Sequence, residues 1–355
     1  MIGNHPEIVR LGDDLSLAAR VNHADSNQFE CRKKRSLVAA PEIVFMFSGQ
    51  GSQYFQMGRE LFEKNETFRD SMIRLDDIPR QLSGRSVVEV LYSDLYGKGD
   101  PFDRTLLTHP AIFMVEYSLA ETLIHAGVRP DMVLGTSLGS FAAAAVAGFI
   151  GVEDALCSVV RQAMVFEEYC EPGGMTAVLG DPALFSEEFL SSRCELAGVN
   201  FSSHFVVSAR CEALAEIEAV LDQRNVEYQR LPVSFPFHSQ WINEAKAPFE
   251  SFMRSIPRKS GQLPLVCCDH SAVLSDLTDD YFWSVARRPV RFLETTARLE
   301  QQGPRRYIDV GPAGTLATFL KYGMHATTKS RVHTILTPFG LDLKNLAALL
   351  SSIRN

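Results

Sequence analysis

The chain has 355 residues, with 35 Lys+Arg against 43 Asp+Glu, a formal net charge of −8 and a pI near 5.6. Hydrophobic residues make up 46% and charged residues 22%, a globular balance, and the length fits two domains or one large domain with an insert. The acidic balance excludes a nucleic-acid binder that works through broad basic surface, and the short run Arg32-Lys33-Lys34-Arg35 has the composition of a solvated segment.

Residues 1–41 form an N-terminal extension, polar and charged apart from an amphipathic stretch over 8–21. Asp13, Asp14 and Asp25, with no long apolar run, set it apart from a secretory signal. The run Ile43-Val44-Phe45-Met46-Phe47 predicts a buried strand that breaks at Ser48-Gly49-Gln50-Gly51, a common opening of α/β domains. Helical patterning follows over 57–75. A further helix is expected over 110–126, where Ile112, Val115, Leu119 and Leu123 recur at helical spacing.

Residues 132–139 (Met-Val-Leu-Gly-Thr-Ser-Leu-Gly) then predict strand, sharp turn and helix start. The alanine-rich segment 141–147 continues that helix, and 153–169 supplies the next. From 174 the texture changes. Short strands at 175–179, 205–208 and 228–233 surround an amphipathic helix at 212–223, a βαβ-type insert of ferredoxin-like character over 174–237. The main domain therefore comprises 42–173 and 238–355, and its last strand ends in Asp309-Val310-Gly311-Pro312.

The seven cysteines (Cys31, Cys157, Cys170, Cys194, Cys211, Cys267 and Cys268) form no C-x-x-C array, so neither a disulfide framework nor a zinc site is expected. Reduced thiols and a cytoplasmic location fit this usage. No stretch reaches about 18 uninterrupted apolar residues, so no membrane partner is expected.

Gly135-Thr136-Ser137-Leu138-Gly139 has the G-x-S-x-G form of a nucleophile elbow, in which a tight strand-to-helix turn lifts a serine hydroxyl to the helix N-terminus. There the Leu138 N–H faces a developing oxyanion, and Gly49-Gln50-Gly51 after the first strand offers a second donor at Gln50. His238, in Ser234-Phe235-Pro236-Phe237-His238-Ser239, stands where the insert returns to the main domain. A lipase-like order of serine, acid and histidine would need an acid shortly before His238, and residues 229–237 contain none.

The run Phe47-Ser48-Gly49-Gln50-Gly51-Ser52-Gln53, the elbow, the Phe237-His238-Ser239 site and the Val310-Gly311-Pro312 turn together resemble the acyltransferase family, collinearly over about 43–340. That family holds the malonyl-CoA:acyl-carrier-protein transacylases and the acyltransferase domains of polyketide synthases. The resemblance implies a large α/β-hydrolase-like domain with an inserted ferredoxin-like subdomain, with no cofactor. It makes Ser137 the nucleophile, His238 the general base, and Gln50 and Leu138 the oxyanion donors. A backbone carbonyl near Arg291, in Arg288-Pro289-Val290-Arg291, would orient the histidine.

The departures bear on substrate. Members that load malonyl groups hold the free carboxylate with an arginine on the helix after the elbow. Counted from Ser137 through Ala147-Gly148 and Asp154-Ala155, that position is Gln162; neighbouring Arg161 is turned by about 100°. Thr136 and Ser140 stand where the family commonly has histidine and glutamate, and His109 replaces a glutamine near the acyl chain. His109 also fits a structural role before Pro110. Phe237 precedes the histidine as in malonyl-selective members. Glutamine at the clamp position with this elbow is similar to the stand-alone acyl hydrolases of trans-acyltransferase polyketide synthases. The expected function is removal of acyl groups from acyl carrier protein thioesters. The alternatives are acyl transfer from CoA to a carrier protein, and a catalytically dead docking subunit, which the intact Ser137 and His238 disfavour.

Overall fold

The apolar run after Pro41 forms the strand Glu42–Phe47, and Val44 to Phe47 are fully buried, as a parallel strand covered on both faces must be. The computed structural model describes residues 9–10 and 41–354; apart from Val9–Arg10, the amphipathic stretch 8–21, the basic run and Cys31 lie outside them. Glu42–Phe47 belongs to a seven-stranded sheet ordered Val9–Arg10, Ala272–Leu274, Leu265–Cys267, Met132–Gly135, Glu42–Phe47, Arg305–Asp309 and Arg331–Thr334. The last five run parallel, with Phe47 beside Gly135 and Phe45 beside Ile308, while the first two pair antiparallel. Met132–Gly135 and Arg305–Asp309 flank Glu42–Phe47 on opposite sides, so a crevice opens at the carboxyl ends of these strands.

Helices cover the sheet. The helix expected over 57–75 is two, Arg59–Lys64 and Glu66–Ser83, because Asn65 is extended and its side chain accepts the Phe68 N–H at 3.0 Å. Thr105–His125 starts earlier than its periodicity predicts, and Pro110 lies inside it. Gly139–Val146 and Val152–Tyr169 follow the elbow. Among the described residues no helix is long and apolar enough to cross a membrane.

The insert is a four-stranded antiparallel sheet ordered Glu195–Phe201, His204–Arg210, Gly173–Val178 and Tyr228–Arg230. With helices Glu188–Ser191 and Cys211–Gln223 in the two crossovers, its chain order is β-α-β-β-α-β, the ferredoxin-like arrangement. Glu195–Phe201 is absent from the periodicity because register shifts at Leu196/Gly198 and Val199/Phe201 break its alternation. The same strand docks on the main domain: Val199 N–H donates to the Val290 carbonyl at 3.0 Å, and Val290 N–H to the Ala197 carbonyl at 2.8 Å.

Candidate active site

After Met132–Gly135 the chain turns through Ser137 at φ 51° into the helix Gly139–Val146. A serine in the left-handed region costs about 1–3 kcal/mol, which the surrounding packing must hold in place. Gly139 is part of that packing. A Cβ there would lie 2.4 Å from the Phe47 carbonyl oxygen, so glycine lets the elbow helix press on the end of the central strand.

His238 is buried and also has a positive φ, 60°. Its backbone N–H donates to the Ala286 carbonyl at 3.0 Å. Its Nε2 lies 2.9 Å from Ser137 Oγ, and its Nδ1 lies 2.7 Å from the Arg288 carbonyl. A carbonyl only accepts, so Nδ1 carries the proton and the Nε2 lone pair faces the serine hydroxyl. Burial lowers the His238 pKa to about 4, opposed in part by its bond to the Arg288 carbonyl, so the ring is neutral near pH 7.

The carbonyl expected near Arg291 is therefore Arg288's. Pro289 keeps Arg288 extended (φ −84°, ψ 154°) just past the helix Tyr281–Arg287, which leaves its carbonyl free for the imidazole. The Arg291 carbonyl is already taken by the Thr295 N–H at 2.9 Å and the Thr295 hydroxyl at 2.8 Å, in the first turn of Phe292–Gln301.

The turn after the central strand closes on the nucleophile. A Cβ at Gly49 would stand 3.0 Å from Ser137 Cβ. Neither the Gln50 N–H nor the Leu138 N–H donates to an acceptor among the described residues. Two backbone donors thus stand without a partner on the two segments that meet at Ser137, a disposition suited to an oxyanion. No group of three His, Cys, Asp or Glu side chains among the described residues is placed to hold a metal ion.

Ser137 separates two spaces. In front lies a cleft of about 480 Å³ between the domains, lined by Ser137, His238 and Phe319 on one side and Met175, Asn200 and His204 on the other. Behind lies a recess of about 10 Å³ bounded by Gln162, His109, Phe141 and Phe237. A space of that size holds about one water-sized group.

Gln162 is 2% exposed, and its Nε2 has no hydrogen-bond partner among the described residues. Arg161, one residue earlier on Val152–Tyr169, is exposed, with its guanidinium 5.5 Å from the centre of the Phe252 ring. His109 is buried, its Nε2 2.8 Å from Gln50 Oε1, and Gln50 Nε2 donates to Thr108 Oγ1 at 3.1 Å. With Nε2–H donating to that amide oxygen, Nδ1 is left as a buried acceptor with no partner among the described residues. Burial lowers the His109 pKa to about 3, so no charge is expected from it either. Phe237 packs on Phe166 edge to face, with ring centres 5.1 Å apart.

Residues 44–354 match the acyl transferase domain family. The chain is 43% identical over 312 residues to the polyketide biosynthesis acyltransferase homolog BaeD of Bacillus velezensis, covering 88% of this chain and 96% of that one. It is 42% identical over 305 residues to the homolog PksD of Bacillus subtilis, covering 86% and 94%. Among solved structures it is similar to a loading acyltransferase from the avermectin modular polyketide synthase, with a TM-score of 0.80 at 27% identity over 88% of this chain and 100% of that one.

Proposed function

The chain belongs to the acyl transferase family, and from that premise we propose that it hydrolyses short, uncharged acyl groups from acyl carrier protein thioesters in polyketide biosynthesis, clearing stalled carriers. His238 Nε2 takes the Ser137 proton as Oγ attacks the thioester carbonyl, and the Gln50 and Leu138 N–H groups bind the oxyanion. The C–S bond breaks and the imidazolium returns the proton to the leaving thiolate, which leaves an ester on Ser137. Water then attacks that ester, His238 accepts its proton, and the proton passes to Ser137 Oγ as the C–O bond breaks. The products are the free acid and the carrier thiol.

One observation carries the substrate assignment: among the described residues, the recess behind Ser137 presents the Gln162 amide and no cation. A carboxylate moved there would lose hydration worth several kcal/mol and receive only neutral hydrogen bonds. Transfer of the same acyl group to a second carrier thiol is the alternative, supported by the acyltransferase names of the relatives.

The test is incubation with acetyl-carrier protein and, separately, with malonyl-CoA. Release of acetate with little malonyl labelling of Ser137 is expected. Rapid malonyl labelling with no acetate release would overturn the proposal.

A further inference from the structure

We infer that Glu116 is a positioning residue for the oxyanion donor at Gln50, because the helix Thr105–His125 clasps the turn after the central strand at both ends. Glu116 is fully buried, in the middle of that helix. Its Oε1 accepts the Ser48 N–H at 2.7 Å and the Ser48 hydroxyl at 2.8 Å. At the other end, Thr108 and His109 hold the Gln50 side chain at 3.1 and 2.8 Å. His109 and Glu116 are seven residues apart, nearly two turns, so they share one face and stand ~10 Å apart along the axis. Between the two anchors the turn is tied to itself: the Ser52 hydroxyl donates to the Gly49 carbonyl at 2.8 Å.

This arrangement fixes the Ser48–Gln50 backbone against Ser137. Glu116 touches neither the serine nor the cleft, so it acts through Ser48. Burial pushes its carboxyl well above the usual carboxylate range, opposed in part by the two Ser48 hydrogen bonds, and Oε1 is the acceptor of both. A glutamine amide presents the same acceptor with nearly the same shape, whereas leucine fills the space and leaves the Ser48 N–H buried without a partner.

The inference rests on acylation of Ser137, the first half of the proposed reaction, and is indifferent to whether the ester then goes to water or to a thiol. The experiment follows acetyl-Ser137 formation from acetyl-pantetheine by mass spectrometry, together with thermal melting, in Glu116→Leu, Glu116→Gln and Ser48→Ala. Removing an oxyanion donor outright costs about 10²–10³ in rate, so a displaced one is expected to cost about 10-fold. Glu116→Leu should lower the maximal acylation rate by about that factor with the half-saturating concentration within about twofold, and Glu116→Gln should stay within about threefold of wild type. A folded Glu116→Leu variant at the wild-type rate, or Glu116→Gln as slow as the leucine variant, overturns the inference. Should Glu116→Leu fail to fold, Ser48→Ala decides: a rate about threefold lower at unchanged half-saturation supports the clasp, and an unchanged rate refutes it. A wild-type protein that acylates and then holds its ester in water would sink the hydrolase proposal and leave this result standing.

Discussion

Replacing Gln162 with arginine puts a cation where the recess now offers only an amide. A guanidinium reaching a malonyl carboxylate there would form a bidentate, charge-assisted contact in a site screened from water. Hydrogen bonds to charged groups contribute about 1.5–3 kcal/mol, which is roughly a 10- to 100-fold shift in the malonyl-to-acetyl ratio of kcat/KM. Two effects work against the gain. The recess of about 10 Å³ cannot take a longer side chain without moving Phe237 or Phe141, and overpacking of this kind costs about 1–3 kcal/mol of stability. With acetyl bound, the new charge has no anion to meet, so acetyl turnover should fall. The assay is competitive labelling of Ser137 by acetyl and malonyl thioesters, with melting temperature as the control for folding. A folded Gln162→Arg protein with an unchanged ratio would refute the assignment of the recess as the acyl site. Arg161→Ala should leave the ratio within about twofold, because that side chain lies outside on Phe252.

The pH profile follows from His238. The imidazole must be unprotonated to act as the base, and burial lowers its pKa to about 4, so kcat/KM should hold steady down to pH 5 and fall only as the pH drops through about 4. An acid limb centred near 6.5 would contradict the desolvated ring. Pro289→Ala frees Arg288 from its extended conformation and loosens the carbonyl that holds Nδ1. The expected result is a kcat about 3- to 10-fold lower at unchanged KM, measured by steady-state hydrolysis of acetyl-carrier protein.

Much of this site is legible in the residues. The elbow announces itself, since glycine at positions 135 and 139 around Ser137 is what a helix pressed on a strand end demands. The turn of 100° per residue separates Gln162 from Arg161 by simple counting, and the structure puts one against the recess and the other in solvent. The Arg288 carbonyl is different. A backbone acceptor has no side-chain signature, and its position depends on where the helix Tyr281–Arg287 stops, a boundary that only Pro289 hints at. The strand Glu195–Phe201 hides for another reason, because its irregular register removes the alternation that marks a strand. Glu116 did leave a trace. A lone acid among Ile112, Phe113, Met114, Val115 and Leu119 on a buried helix must have a polar partner, but sequence alone does not say that the partner is Ser48.

The fate of the ester on Ser137 separates a hydrolase from a transferase. Acetyl-enzyme made with a limiting thioester is isolated rapidly and divided between buffer and buffer containing a holo-carrier protein, with Ser137→Ala as the unlabelled control. Loss of the acetyl group as free acetate, at a similar rate in both, is the result expected of a hydrolase. An ester that persists in buffer and moves intact onto the carrier thiol would contradict it and make the protein a transferase.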